Sequence, residues 1–456
     1  MGRCYNIKTL KATLQKDSTI PYKTRVQSLN ALGLQITAHE DEVLDALKKD
    51  LGKPALEAYL SEVYFVQREI KDTIKSLRSW MKPRKVSGVF FAWPSKSYVI
   101  YEPLGRVLII APWNYPFQLL LAPMVSAIAA GNSGILKPSE HTPHTNAVVK
   151  KILDRAIPDH LFTMADSHPD ATRELLKERF DLIFFTGSTS FGMEVMKAAS
   201  DHLTPVILEL GGKSPCIVDR HLNVDTVAKR IIKNKLFNAG QTCVAPDYVC
   251  VHESEHASYV AAMERAIRGF FGDRPATHPD YTQIIHDGRV KQLLKLIHPS
   301  DGPISIGEHQ VHDRRLAPTL LTKATWESPC MKEEIFGPIL PILTYRELPN
   351  LFGSINRMGK PLSLYIFSNE GEFENECLGA VSSGNVCIND VMLQLTNPHL
   401  PFGGVGPSGM GRYHGKFGFE AFSNIRSIMK RSLRFAPFEM APPYKNAFKN
   451  LRRFLK

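Results

Sequence analysis

The chain has 456 residues, 43% hydrophobic and 22% charged, the make-up of a globular protein of two or three domains. No apolar run reaches the ~18 residues a spanning helix needs, and Met1–Leu10 lacks an apolar core with a small-residue cleavage site, so neither a membrane span nor secretion is expected. The net charge of +11 does not point to nucleic acid: residues 426–456 hold nine Lys or Arg against one acid, Glu439, which is +8 of the total, and no basic groove interleaved with aromatics is visible.

In chain order, residues 18 to about 50 read as helical, with Val26, Leu29, Leu32, Ile36, Val43, Leu44 and Leu47 near helical spacing and Gly52 as the stop. A second helix is predicted over Ser61–Trp80, ended by Pro83. Across 87–102, Val89–Phe91 and Tyr98–Tyr101 flank Trp93-Pro94-Ser95-Lys96, which reads as a long antiparallel hairpin projecting from the body. Strands and helices then alternate. Strands are predicted at Arg106–Ala111, Gly134–Lys137, Phe180–Phe185 and Pro205–Leu210, with helices at Phe117–Ala130, Thr142–Ala156 and from about 193 to Ala199. Such alternation means parallel βαβ units and an open twisted sheet, whose ligands bind beyond the carboxyl ends of the strands. The loops at 112–116, 137–140, 186–188 and 209–212 fall there.

After Gly211 the alternation resumes as a second α/β domain. Tyr248–Val251, Leu340–Leu343, Leu364–Phe367 and Gly384–Asn389 read as strands, Ala257–Phe271 as a helix, and 272–315 as turns around one more helix. Residues 397–411, rich in Gly and Pro, end that domain, and 423–434 can pair as a strand with the 87–102 hairpin. The fold class is therefore α/β: two open twisted α/β domains plus a small β element.

The seven cysteines (Cys4, Cys216, Cys243, Cys250, Cys330, Cys377 and Cys387) are odd in number, widely spaced and without a C-x-x-C pair. Disulfides and structural zinc are not expected, and a reducing, cytoplasmic compartment fits. His141 and His144 read as loop residues, so no metal is assigned. Cys243 lies in Phe237-Asn238-Ala239-Gly240-Gln241-Thr242-Cys243-Val244, where small residues leave room for a ligand to approach. Alone it reads equally as a buried structural cysteine or as a nucleophile. Glu209 ends an apolar strand beside Gly211 and Gly212, where desolvation would raise its pKa and suit it as a general base; its bland reading is a cap. Asn114, between Pro112 and Pro116, offers a fixed amide for an oxyanion, though alone it reads as a turn asparagine. Gly187-Ser188-Thr189-Ser190-Phe191-Gly192 turns from strand to helix and can present N–H groups to a pyrophosphate, but it is not G-x-G-x-x-G. Lys137 and Glu140 could hold a ribose or be plain surface charge.

The stretches Phe237–Val244, Leu208–Pro215, Pro112–Pro116, Lys137–Glu140, Glu334-Ile335-Phe336-Gly337-Pro338 and Pro401–Gly404 closely resemble the aldehyde dehydrogenase superfamily, in the right order, over residues 20–430. Residues 401–418 and the short N-terminus resemble class 3, which includes fatty and aromatic aldehyde dehydrogenases. The resemblance implies oxidation of medium- or long-chain aliphatic or aromatic aldehydes to carboxylic acids with NAD or NADP. Cys243 would be the nucleophile, Glu209 the base and Asn114 the oxyanion amide. Lys137 and Glu140 would hold the adenine ribose. Gly187, Ser188 and Gly192 would form the pyrophosphate turn. Glu334 would bind the nicotinamide ribose, with Phe336 and Trp113 beside the ring. Tyr115, Leu119 and Phe402 would line the substrate funnel. None of these positions departs from the family pattern. The implied domains are 1–81 with 103–210 for the cofactor, 211–410 for catalysis, and 82–102 with 411–456 as oligomerisation arm and tail of a homodimer. A CoA-acylating enzyme is the alternative, disfavoured because such enzymes generally lack the base. The segment 445–456 alternates Lys445, Lys449, Arg452, Arg453 and Lys456 with Phe448, Leu451, Phe454 and Leu455, a pattern that allows peripheral membrane contact. A basic tail packing on a partner subunit, or left free, is preferred.

Overall fold

The computed structural model describes residues 20–307, 311–435, 442, 444 and 447–454. Three sheets organise the chain. The first has six strands in the spatial order Gly409–Met410, Val206–Glu209, Leu182–Thr186, Arg106–Ile110, Ser133–Lys137, Phe162–Met164. All pair in parallel except Gly409–Met410, which runs antiparallel to the end of Val206–Glu209. Side chains of the parallel strands alternate between two cores. Val107, Ile109, Leu136, Phe184 and Ile207 enter one; Leu108, Ile110, Ile135, Phe185 and Leu208 enter the other. Both faces are covered, so these strands read as unbroken apolar runs.

The chain enters this sheet at Arg106–Ile110, builds outward to Phe162–Met164, then returns to the other side at Leu182–Thr186. The order reverses between Arg106–Ile110 and Leu182–Thr186. A crevice opens at such a reversal, beyond the carboxyl ends of the strands. The second sheet has seven strands in the order Pro303–Ser305, Thr319–Leu321, Ile339–Tyr345, Tyr248–His252, Pro215–Val218, Ser363–Phe367, Asn385–Ile388, parallel apart from the first pair. The third joins Arg84–Val86, Ser95–Pro103 and Ser423–Arg431, with Ser423 opposite Pro103 and Arg431 opposite Ser95. The expected class, two α/β sheets and a small β element, is what the chain adopts.

Several elements differ in detail. The hairpin partner is Arg84–Val86, because Phe90–Ala92 forms a 3-10 turn instead of a strand. Pro94 has no N–H for a ladder, and Phe90 and Phe91 meet edge to face at 5.8 Å. The first helical run is two helices, Tyr22–Ala38 and Glu40–Leu51, broken at His39. The second starts before Ser61, at Ala55–Ala58, and passes through a π-helical turn, Tyr59–Val63, into Tyr64–Trp80. Phe162–Met164, Pro215–Val218 and Thr319–Leu321 are strands of three or four residues with no alternation to reveal them. Gly409–Met410, inside the segment expected to be catalytic, belongs to the first sheet. The tail residues Ala447–Phe454 are helical with Phe448 exposed; Lys445, Leu455, Lys456, Cys4 and Met1–Leu10 lie outside the described residues. Among the described residues, no helix is long and apolar enough to cross a membrane, and all six described cysteines are free.

Candidate active site

A cavity of about 820 Å³ lies at the reversal point, between the two large sheets. Asn114, Glu209 and Cys243 all line it. Asn114 comes from the loop after Arg106–Ile110, and Glu209 is the last residue of Val206–Glu209. Cys243 arrives by an unusual path. Asn238, Ala239 and Gly240 have φ of 53°, 52° and 74°, three left-handed residues in a row. Each non-glycine there costs roughly 1–2 kcal/mol, so the surroundings must hold the turn. At Gly240 a Cβ would meet the carbonyl oxygen of Gly337 at 2.3 Å.

Side-chain amides supply much of that hold. Gln241 donates to the carbonyls of Asn238 (3.1 Å) and Gln283 (2.9 Å) and accepts from the Ile285 N–H (3.0 Å). Asn238 Nδ2 donates to the carbonyls of Asn114 and Gln241, both at 3.0 Å. Asn114 Nδ2 donates to the Gln241 carbonyl at 3.1 Å, which ties its loop to that of Cys243 and leaves the second amide hydrogen for a ligand.

The electrostatics set the carboxylate and the thiol apart from ordinary groups. Glu209 is buried, and neither of its oxygens has a hydrogen-bond partner among the described residues. Burial holds its carboxyl well above the usual range, opposed by the charge of Arg412. Cys243 is half-buried. Burial pushes its thiol far up, and the charges of Glu334 and Glu209 push further; the N–H groups of Cys243 and Val244 pull the other way. The protein groups thus do not by themselves favour the thiolate.

The cavity also fits a dinucleotide. Gly187, Ser188, Thr189 and Ser190 line it at the start of the helix Thr189–Ser200, and Ser188 caps that helix by accepting from the Phe191 N–H at 3.3 Å. Helix N–H groups open to a cavity suit a diphosphate. Glu334, half-buried, also lines the cavity, its pKa raised to about 8 by desolvation and the nearby Asp247. The backbone passes so close that a Cβ on Gly211 would lie 1.9 Å from Glu334 Oε2, so this glycine makes the approach possible. Phe336, at φ 48°, meets Trp113 edge-on at 5.5 Å, and both rings line the cavity.

Leu119 lines it as well, whereas Lys137, Glu140, Gly192, Tyr115 and Phe402 lie outside its lining. Lys137 is buried at the end of the neighbouring strand and donates to the carbonyls of Pro138 (2.7 Å) and Ser167 (2.8 Å). Glu140 is exposed beside His141. Gly192 packs on Leu210 inside the helix. Tyr115 is buried, with its hydroxyl 2.6 Å from Thr242 Oγ1. Phe402 stacks on His414 at 5.1 Å. His414 in turn borders a smaller cavity of about 220 Å³ with Leu60, Tyr64 and Leu395.

Sequence reading missed the residues that support these. Lys213 Nζ reaches Asp247 and the carbonyls of Cys330 (2.8 Å) and Glu333 (3.0 Å), while Asp247 Oδ1 accepts from the Ile335 N–H at 3.0 Å. Arg289 donates to the Ile335 carbonyl at 2.6 Å. Together they brace the segment carrying Glu334. Lys213 adjoins the quoted Gly211-Gly212 stretch, but nothing local signals its partners.

The family model described as "Aldehyde dehydrogenase family" matches residues 6–428. A 4,4'-diaponeurosporen-aldehyde dehydrogenase of Staphylococcus aureus is 42% identical over 447 residues, covering 98% of this chain and 97% of its own. Human aldehyde dehydrogenase family 3 member B1 is 42% identical over 427 residues, 93% and 91% of the two chains. A solved structure titled as the substrate-bound state of Staphylococcus aureus AldH superposes with a TM-score of 0.91 at 42% identity, covering 99% of this chain and 97% of that one. Motifs, fold and relatives agree: the chain belongs to the aldehyde dehydrogenase family and is an oxidoreductase acting on aldehydes.

Proposed function

We propose that the protein oxidises aldehydes, medium- or long-chain aliphatic or aromatic, to carboxylic acids with NAD or NADP, through a covalent intermediate on Cys243. The observation that carries this reading is the meeting of Cys243, Asn114 and an unpartnered Glu209 carboxyl on one cavity. Cys243 Sγ, as thiolate, attacks the aldehyde carbon and forms a tetrahedral thiohemiacetal. Asn114 Nδ2 and the Cys243 N–H hold the oxyanion, each such donor contributing roughly 3–4 kcal/mol in related sites. The dinucleotide, when bound, supplies the acceptor for the hydride that leaves the adduct. What remains on Cys243 is a thioester. Glu209 takes a proton from water, the hydroxide adds to the thioester carbon, and the carbon–sulfur bond breaks to free the acid and the thiolate. A carboxyl whose pKa is raised and whose oxygens are free is suited to that proton transfer, and favours hydrolysis over acyl transfer to CoA.

In the same reading Ser188 and the helix start at Thr189 bind the diphosphate, with Gly187 and Gly192 shaping that turn. Glu334 binds the nicotinamide ribose, with Trp113 and Phe336 beside the ring, and Lys137 and Glu140 hold the adenine ribose. Both an NAD-dependent and an NADP-dependent enzyme occur among the structural neighbours, which supports a dinucleotide of either kind. Tyr115, Leu119 and Phe402, with the 389–400 loop, shape the path of the substrate. The protein is a cytoplasmic homodimer joined through the three-stranded sheet.

Cys243→Ala tests the core of the proposal: it abolishes NAD(P)H formation with every aldehyde of a straight-chain and aromatic series, while the folded variant keeps its thermal midpoint. NAD(P)H formed at the parental rate would refute the nucleophile assignment.

A further inference from the structure

One short segment distant in sequence from both loops of the site converges on them. Lys53 follows the helix Glu40–Leu51, Glu57 lies on Ala55–Ala58, and Glu62 sits in the π-helical turn Tyr59–Val63. Such turns re-aim side chains relative to an α-helix and recur at functional sites. The side chains of Lys53 and Glu62 are fully buried and paired at 2.6 Å. Lys53 Nζ also donates to the main-chain carbonyl of Asn114 at 3.1 Å and lies 4.2 Å from the ring centre of Tyr115. The other oxygen of Glu62 accepts from the N–H groups of Phe117 (3.0 Å) and Gln118 (2.9 Å), where the loop of Asn114 becomes the helix Gln118–Ala130. Glu57 Oε2 accepts from the Asn238 N–H and the Thr282 hydroxyl, both at 3.1 Å. The two loops meet where Asn238 Nδ2 and Lys53 Nζ share the Asn114 carbonyl.

A buried ion pair is a weak stabiliser, because desolvation of both charges offsets their attraction. Apart from the pair itself, the hydrogen bonds of Lys53 and Glu62 described here end on the backbone of residues 114–118, so their effect is concentrated on that loop. Glu57 does the same for the left-handed turn that delivers Cys243. We propose that Lys53 and Glu62 are positioning residues that fix the amide of Asn114 in register with Cys243, with Glu57 holding the adjoining turn. The proposal rests on the roles assigned above to Asn114 and Cys243. Its basis is geometric: misplacement of a reacting group by about 1 Å can cost on the order of 100-fold in rate.

The test is Lys53→Met/Glu62→Gln, which removes both charges together so that neither is left buried alone, while a glutamine carbonyl can still accept from Phe117 and Gln118. Thermal melting and circular dichroism check the fold. Three readouts follow: KM for a simple aldehyde, the single-turnover rate of acylation, and the rate of Cys243 alkylation by iodoacetamide. The expected result is a ~10- to 100-fold slower acylation with KM and alkylation little changed, since orientation is lost and the thiol is not. Placed in an Asn114→Ala background, the same pair of changes should cause almost no further slowing. A loss of acylation as large with Asn114→Ala as without it would overturn the proposal, as would a folded double variant that acylates at the parental rate. If Asn114→Ala alone acylates normally, the oxyanion assignment itself has failed and the proposal with it, a pattern distinct from additive losses. Should the double variant not fold, Lys53→Arg, which keeps the charge and displaces its contact with the Asn114 carbonyl, is read by the same cycle.

Discussion

Glu334 carries a carboxyl with a pKa of about 8 in place of the ordinary 4.5, and the cause is chiefly burial. A raised folded value means that the native chain binds this proton more tightly than the unfolded chain. Below pH 4.5 both states hold it and nothing is lost. As pH rises from 4.5 to about 8 the unfolded chain ionises first, so native stability falls across that window and levels off above it. Glu334→Gln removes this effect. In denaturant melts without dinucleotide, the variant should match the parent near pH 4 and exceed it increasingly up to about pH 8. Equal midpoints over the whole range would contradict the burial argument. That Cys243, Glu209 and Asn114 would line one cavity was legible because each sits in a short motif at a strand or loop end. Their electrostatics were less so. A raised Glu209 was to be expected from its strand-end setting, but the rise in the Cys243 thiol comes first from burial and then from Glu334, brought close by folding from 91 positions away, and neither is local in sequence.

The turn Phe237–Gly240 is the element on which delivery of the thiol depends. Gly240 stands at φ 74° with the Gly337 carbonyl against it, so Gly240→Ala must shift backbone on one side or the other. The change should cost about 1–3 kcal/mol and slow Cys243 alkylation together with turnover. Parental stability and activity would show that the turn is not constrained. Element by element, the buried parallel strands and the Gly- and Pro-marked loops were readable, because period, length and turn residues are local properties. The π-helical turn Tyr59–Val63 and the strands of three or four residues were not. Neither was the service of Lys53, Glu57 and Glu62 to two remote loops. Lys53 and Glu57 fall between the two predicted helices and Glu62 at the start of the second, where a charged side chain reads as solvated, and only their distant partners reveal what they hold.

At the scale of the whole molecule, the carboxyl ends of the first sheet's strands and the amino ends of four strands of the second border one cavity, and the three-stranded sheet is separate from both. That small sheet exposes Ile425 and Met429, four residues apart and so on one face of Ser423–Arg431. If it is the dimer surface, Ile425→Asp/Met429→Asp should convert the dimer to monomer in sedimentation equilibrium without lowering the melting point of the body. An unchanged sedimentation mass would place the interface elsewhere. The central claim is that oxidation leaves an acyl group on Cys243 which only Glu209-activated water removes, and rapid-mixing kinetics of Glu209→Gln test it most directly. The expected trace is a burst of NAD(P)H approaching one equivalent per active site, followed by near-complete arrest with the acyl group recoverable on Cys243; steady turnover at the parental rate with no burst would contradict it.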